Sequence, residues 1–222
     1  MSVRTLTLDE RLYRYFLSVA LREPQVMAEL REATTRHPLA EMQIAPETAP
    51  LIQMLIKLTG TRRAIELGVY TGYSTLAAAL ALPEEGFLLA CDLKADFAAI
   101  GQPYWQRAGV TEKIELAIGP ALDTLDERIA AGEGGTYDFA FVDADKPSYA
   151  AYYDRLLILL RPGGLIAFDN TLGTSGIPFI DQESANAKAI FALNEQLQQD
   201  ERIDLSMLPL GEGLTLVRKR PV

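Results

Sequence analysis

The run FAFVDADK drives four mostly apolar residues straight into Asp143, Asp145 and Lys146, and further along LIAFDN ends in Asp169 and Asn170. Two carboxylates and an amide oxygen at adjacent strand ends make a hard oxygen cluster suited to Mg²⁺, Mn²⁺ or Ca²⁺, with positions left for water or substrate. Alone, an Asp-Asn pair is as readily a turn former and a single lysine a solvated loop residue. Their joint occurrence is what points to chemistry.

A third strand-like run ends in ELGVYTGYS. Gly68 and Gly72 allow a tight backbone turn, and Ser74 is placed to cap the following helix, whose N-terminal amides favour a polar ligand. A dinucleotide fingerprint would need a second glycine at position 70, where the chain has Tyr70. Asp92 closes the next strand at the position where nucleotide-binding α/β folds grip ribose hydroxyls. With Glu66 just before the glycine loop, these acids suit a nucleoside that carries positive charge better than one with two phosphates.

The elements that must position these residues follow from the apolar pattern. RRAIELGV, GFLLACDL, KIELAIG, YDFAFVDA and LIAFDN read as strands, separated by the helical stretches YSTLAAALAL, FAAIGQPYWQRAG, ALDTLDERIAAG and YAAYYDRLLILLRPGG. Such alternation predicts a doubly wound, mostly parallel sheet covered on both faces. After the helix ANAKAIFALNEQLQQD, the runs IDLSMLPL and LTLVRKR are separated only by Gly211, Glu212 and Gly213, so they must pair antiparallel. Upstream, Leu12, Tyr13, Phe16, Val19 and Ala20, then Val26, Met27 and Leu30 after Pro24, predict two cover helices. A Pro-punctuated loop leads from there to the helix LIQMLIKLTG, with Gly60 as its C-cap.

The 222 residues suit one large domain. Lys and Arg number 21 against 30 Asp and Glu, and the net charge of -9 opposes non-specific attraction to nucleic acid or anionic lipid. Small molecules are the expected partners. The single Cys91 excludes an internal disulfide, the N-terminus has no apolar signal core and no stretch is long enough to span a bilayer, so the chain reads as cytoplasmic. Cys91 and His37 are read as structural or incidental, and the tyrosines and Phe16 of the first helix as packing.

IELGVYTGYSTLAAALALP, GPAL, FVDADK and FDNTL, in this order and spacing, resemble the cation-dependent S-adenosylmethionine O-methyltransferases, typified by caffeoyl-coenzyme A and catechol O-methyltransferases. The resemblance implies a seven-stranded, Rossmann-like class I methyltransferase sheet with its last strand antiparallel, and a homodimer. One domain over 1–222 is expected, with N-terminal cover helices and cofactor loop in 1–45 and the α/β core in 46–222. By position, Glu66, Gly68, Val69, Ser74, Asp92 and Ala121 match cofactor contacts. Met42 and Ile44 close over the methionine side, and Asp145 and Asp143 lie near the sulfonium. Asp143, Asp169 and Asn170 match the metal ligands, Mg²⁺ first among them, and Lys146 the general base. The implied reaction is methyl transfer to a hydroxyl of a vicinal dihydroxy aromatic of catechol, caffeoyl or flavonoid type. The chain departs from plant members at Gly173, where Trp is usual, and at Pro147, where a polar residue is usual; LGTSGIPFIDQES lies where members shape the acceptor pocket.

Three other readings compete. A nicotinamide dehydrogenase is opposed by Tyr70 and by the terminal hairpin. A phosphatase built on Asp-x-Asp lacks the following Thr. A non-catalytic sensor or scaffold that binds S-adenosylmethionine is opposed by the intact set of Asp143, Lys146, Asp169 and Asn170.

Overall fold

A computed structural model describes residues 5–174 and 176–221. Strands β1 (Arg63–Leu67), β2 (Phe87–Asp92), β3 (Ile114–Ile118), β4 (Tyr137–Val142) and β5 (Leu160–Phe168) alternate with helices α4 (Tyr73–Ala81), α5 (Ala95–Arg107), α6 (Ala121–Ala130) and α7 (Tyr149–Leu159). Preceding them are α1 (Glu10–Ala20), α2 (Gln25–Thr34) and α3 (Thr48–Leu58). A short ribbon, β6 (Gly173–Thr174) with β7 (Ile177–Pro178), then α8 (Ala185–Gln199), β8 (Ile203–Leu208) and β9 (Leu214–Lys219) complete the described chain.

Among the described residues the main sheet has seven strands in the order β3-β2-β1-β4-β5-β9-β8. The first five are mutually parallel, and β9 runs antiparallel to both β5 and β8. Strand order therefore reverses between β1 and β4, which opens a crevice beyond their carboxyl ends. The doubly wound sheet and the antiparallel terminal hairpin expected from the pattern are both present.

The alternation of side chains along each strand divides the core into two layers. Ile65, Leu67, Ala140 and Val142 pack with Tyr149, Tyr153 and Leu156 of α7, while Ala64, Ala90, Phe139 and Phe141 pack with α3 and α4. In α4 every residue from Tyr73 to Ala79 is buried. Its alanines cost little side-chain entropy and let the helix lie close to the sheet.

Three local expectations are corrected. The helix expected to run to Gly164 stops at Leu159, because Pro162 lacks an N–H and Gly163 takes a positive φ of 80°; the same residues start β5 with a register shift against β4. Ser74 does not cap α4: Gly72 is the N-cap, in the left-handed conformation at φ 79°, and Ser74 lies inside the first turn. The helix expected from Leu51 begins earlier, at Thr48, with Pro50 in its first turn where a missing N–H costs nothing.

Candidate active site

Beyond the ends of β1, β2, β4 and β5 lies a cavity of about 860 Å³. Met42, Ile44, Gly68, Val69, Ser74, Asp92, Ala121, Asp143, Asp145, Lys146, Asp169 and Asn170 all line it. Of the residues that the resemblance assigns to the cosubstrate, the cation or the proton transfer, Glu66 alone is absent from its wall.

The glycine loop is built by close backbone contact. Gly68 has φ 90°, and a β-carbon there would stand 1.9 Å from the carbonyl oxygen of Asp143. The two strand ends at the crossover thus approach more closely than any side chain allows. Asp92 Oδ2 accepts from the amides of Val69 and Tyr70, both at 2.8 Å, and Oδ1 accepts from Lys94 N at 2.8 Å. This refines the expected role of Asp92: the carboxylate first holds the loop, and of its roughly four acceptor positions one is left for a ligand hydroxyl.

Tyr70 is one of two non-glycine residues with positive φ among the described residues, at 49°. Its ring is directed toward the N-terminal loop, where the hydroxyl donates to Leu39 O and meets His37 Nδ1, each at 2.8 Å. His37, Tyr70 and Phe97 contact one another edge to face at 5.3–5.5 Å between ring centres. This cluster ties the loop that carries Met42 and Ile44 to the glycine loop. His37, assigned no role from sequence, is part of the fastening, and only the spatial fold reveals it.

Glu66 stands beneath the loop on the α4 side of β1. It is 1% exposed, and neither carboxylate oxygen has a partner of good hydrogen-bond geometry. Burial pushes its pKa up to about 8; the nearby Ser74 and Thr75 hydroxyls pull it back, and the charges of Asp92 and Asp143 push it further up. The second negative charge inferred from the sequence is therefore mostly absent at neutral pH. Because the folded pKa lies above the ordinary carboxyl value, this group stabilises the fold fully only below about pH 4.5, and that contribution is lost as pH rises through about 8. Glu66→Gln, which keeps the shape and stays neutral, is expected to match the parent melting temperature near pH 4.5 and to exceed it increasingly toward pH 9. Melting curves across that range check this; parallel curves for the two proteins would contradict it.

At the other end of the cavity, Lys146 Nζ donates to Asp143 Oδ1 at 3.0 Å, Asn170 Oδ1 at 2.7 Å and Tyr149 Oη at 2.8 Å. All three hydrogens of the ammonium are thereby used, and the nitrogen also lies 4.8 Å from the centre of the Tyr149 ring. Tyr149 is fully buried between Val142 O and Asp169 O, each 3.2 Å from its hydroxyl, so it is a fixed support. Asp169 is 4% exposed, and burial, followed by the charge of Asp143, pushes its pKa up. A buried carboxyl beside a second carboxylate has an unmet demand for positive charge, and the lysine answers part of it.

Asp145 turns the other way. Its carboxylate accepts from Tyr152 Oη at 2.6 Å and from Ser148 Oγ, which fixes the β4–α7 loop instead of adding to the oxygen cluster. Pro147 follows Lys146 inside a short 3₁₀ turn, where its fixed φ helps hold the lysine in place. Glu212, Tyr149, Leu93 and Phe97 also shape or support this site without a signal in the sequence, while Thr174, from the segment LGTSGIPFIDQES, lines the cavity.

Comparison with known proteins places this geometry. An O-methyltransferase family model matches residues 17–220. Caffeoyl-CoA O-methyltransferase 2 of Zea mays is 45% identical over 97% of this chain and 85% of its own. Tricin synthase 1 of Oryza sativa subsp. japonica is 42% identical over 97% and 90%. Among solved structures, the O-methyltransferase TomG from Streptomyces achromogenes, in complex with SAM, superposes with a TM-score of 0.84 at 27% identity over 94% of this chain and 95% of its own. With the switch-point cavity, the glycine loop and a sequence match over nearly the whole length, the chain belongs to the O-methyltransferase family.

Proposed function

We propose that the protein transfers the methyl group of S-adenosylmethionine to one hydroxyl of a vicinal dihydroxy aromatic of catechol, caffeoyl or flavonoid type. We further propose that a divalent cation, Mg²⁺ in first place and Mn²⁺ or Ca²⁺ as substitutes, is held by Asp143, Asp169 and Asn170. The names of the Zea mays and Oryza sativa relatives support the acceptor class, and the SAM-bound Streptomyces relative supports the methyl donor.

The observation that carries the cation is the lysine itself. Lys146 Nζ sits between Asp143 Oδ1 and Asn170 Oδ1 beside the buried Asp169, so a positive charge already occupies the oxygen cluster. Among the described residues no group of three or more His, Cys, Asp or Glu could hold a metal ion. The donor set here counts an amide oxygen in its place, which fits a hard cation that accepts carboxylate and carbonyl oxygens and retains waters. When bound, such a cation supplies positive charge that favours the ionised form of an acceptor hydroxyl.

The chain's own groups account for the remaining steps. Gly68 and Val69 bring bare backbone to the cosubstrate, Asp92 offers its last acceptor position to a ribose hydroxyl, and Met42 and Ile44 exclude water from above. Lys146, supported by Tyr149 and in its neutral-amine form once a cation has taken over the oxygen cluster, takes the acceptor proton on its free lone pair and becomes the ammonium. The oxygen then attacks the methyl carbon in line: a C–O bond forms, the C–S bond breaks, and the electron pair returns to sulfur as a neutral thioether. No protein nucleophile is needed, and holding both reactants in line accounts for about 7–11 kcal/mol of the barrier.

The same reading includes a homodimer. Helix α1 buries none of its own residues and leaves Tyr15 and Val19 exposed, a face open to a second copy. Light scattering at micromolar concentration should return twice the 24.4 kDa chain mass. No described helix is long and apolar enough to cross a membrane.

Labelled S-adenosylmethionine incubated with a panel of catechols, caffeoyl esters and flavonoids, with Mg²⁺ or with chelator, tests the reaction. Transfer is expected only to vicinal diols and only with the cation. Transfer indifferent to chelator would overturn the cation assignment, and cosubstrate binding without any product would favour a sensor.

A further inference from the structure

Asn170 is the ambiguous member of the oxygen cluster. A carboxamide presents an acceptor oxygen on one side and two donor hydrogens on the other, and only the oxygen can hold a cation. Turned over, Asn170 would point N–H groups into the cation site. Its backbone, at φ 55°, aims the side chain into the cavity but does not decide which way the amide faces.

The neighbours decide it. On one side stands Lys146 Nζ, a donor only, 2.7 Å from Oδ1. On the other stands Glu212, an acceptor only, whose Oε2 receives Nδ2 at 2.9 Å. Once a cation shares the oxygen side, Lys146 cannot be relied on for orientation, since two positive charges compete for the same oxygens. Glu212 is unaffected by that competition.

The turn that carries Glu212 is itself anchored to the exit of β5. Thr171 N donates to Gly213 O at 2.9 Å, Leu172 N to Glu212 O at 2.9 Å and Gly173 N to Glu212 O at 3.0 Å. The second carboxylate oxygen, Oε1, accepts from Gly176 N. Gly213 has φ 97°, and a β-carbon there would come within 2.6 Å of the Leu172 side chain, so the Gly-Glu-Gly turn can sit this close only with glycine at its end. A hairpin turn read from sequence as a simple connector thus delivers a carboxylate to an amide 42 residues away.

We propose that Glu212 is a positioning residue that holds the Asn170 carboxamide with Oδ1 toward the cation site, without itself binding the cation. This rests on the divalent-cation reading above. Mn²⁺ affinity, measured from the paramagnetic resonance signal of free Mn²⁺ with no cosubstrate present, tests it.

Glu212→Leu, which removes the acceptor, is expected to weaken Mn²⁺ binding by about 10- to 100-fold. Glu212→Gln, whose amide oxygen can still accept, should stay within about fivefold of the parent. In an Asn170→Asp background, where both side-chain oxygens are acceptors and orientation no longer matters, Glu212→Leu should cost nothing and relieve a carboxylate repulsion. Should Glu212→Leu fail to fold, Glu212→Ser serves the same arm at this partly exposed turn.

Equal losses for Leu and Gln would mean that charge alone matters and would overturn the proposal. So would a Leu loss that persists in the Asn170→Asp background, or parent-like binding by Glu212→Leu. If the parent itself binds no Mn²⁺, the cation reading fails and takes this proposal with it. Parent binding without the Glu212–Asn170 coupling sinks the positioning role alone.

Discussion

Gly68→Ala is expected to lower the melting temperature by on the order of 10 °C and to abolish cosubstrate binding. Two costs combine. The backbone at φ 90° is strained for any L side chain, and the new β-carbon would stand 1.9 Å from Asp143 O. The obstacle is main chain, not a side chain that can swing away, so β1 and β4 must separate at the point where the cavity opens. Separation would also pull on Gly68 N, which donates to Cys91 O at 2.9 Å, and on Asp143 N, which donates to Leu67 O at 2.8 Å. Gly132→Ala supplies the control, because Gly132 has φ 81° with nothing within 4 Å of its would-be β-carbon. It isolates conformational strain, worth about 1 kcal/mol. Calorimetric titration with S-adenosylmethionine and a thermal melt of both variants check the contact; similar behaviour of the two would show that Gly68 is not sterically required.

Asp143→Ala should have the opposite profile: an intact fold and a catalytic loss of about a thousandfold or more, the several kcal/mol that a correctly held cation supplies. The side chain makes one polar contact, with Lys146, while its backbone contacts to Leu67 and Gly68 survive the substitution. Removing it leaves Lys146 two of its three acceptors and relieves Asp169 of the charge that, after burial, raises its pKa. The melting temperature should therefore stay within a few degrees of the parent and cosubstrate affinity should be nearly unchanged. Transfer rates with and without chelator, beside a melt, check this. Undiminished cation-dependent transfer would remove Asp143 from the site, and a collapsed melt would make its role structural.

Much of the site was legible because the sheet does the positioning. In a parallel sheet each apolar run ends at the same edge, so Asp92, Asp143, Asp169 and Asn170 could be assigned to one rim from local pattern alone. The antiparallel pairing of β8 and β9 followed from a connection too short to cross over. What stayed hidden was whatever depends on long-range contact. Glu66 follows the same strand but alternates to the α4 face, and its burial turns an inferred charge into a mostly neutral acid. From sequence Tyr70 only breaks a dinucleotide fingerprint, yet in the fold it fastens His37 and Leu39 across more than thirty residues. Glu212 sat in a turn whose glycines explained it fully as a connector. The β6–β7 ribbon escaped notice because each strand has two residues, too few for periodicity.

The central claim is that Asp143, Asp169 and Asn170 share one divalent cation within reach of the transferable methyl. Anomalous diffraction from a crystal soaked with Mn²⁺ and S-adenosylhomocysteine, the demethylated product, tests it most directly. The account requires a single strong peak bounded by those three side chains, with Lys146 Nζ moved off the shared oxygens and the thioether sulfur facing the ion across the acceptor space. A map with no peak there, and the lysine still seated between Asp143 and Asn170, would contradict it.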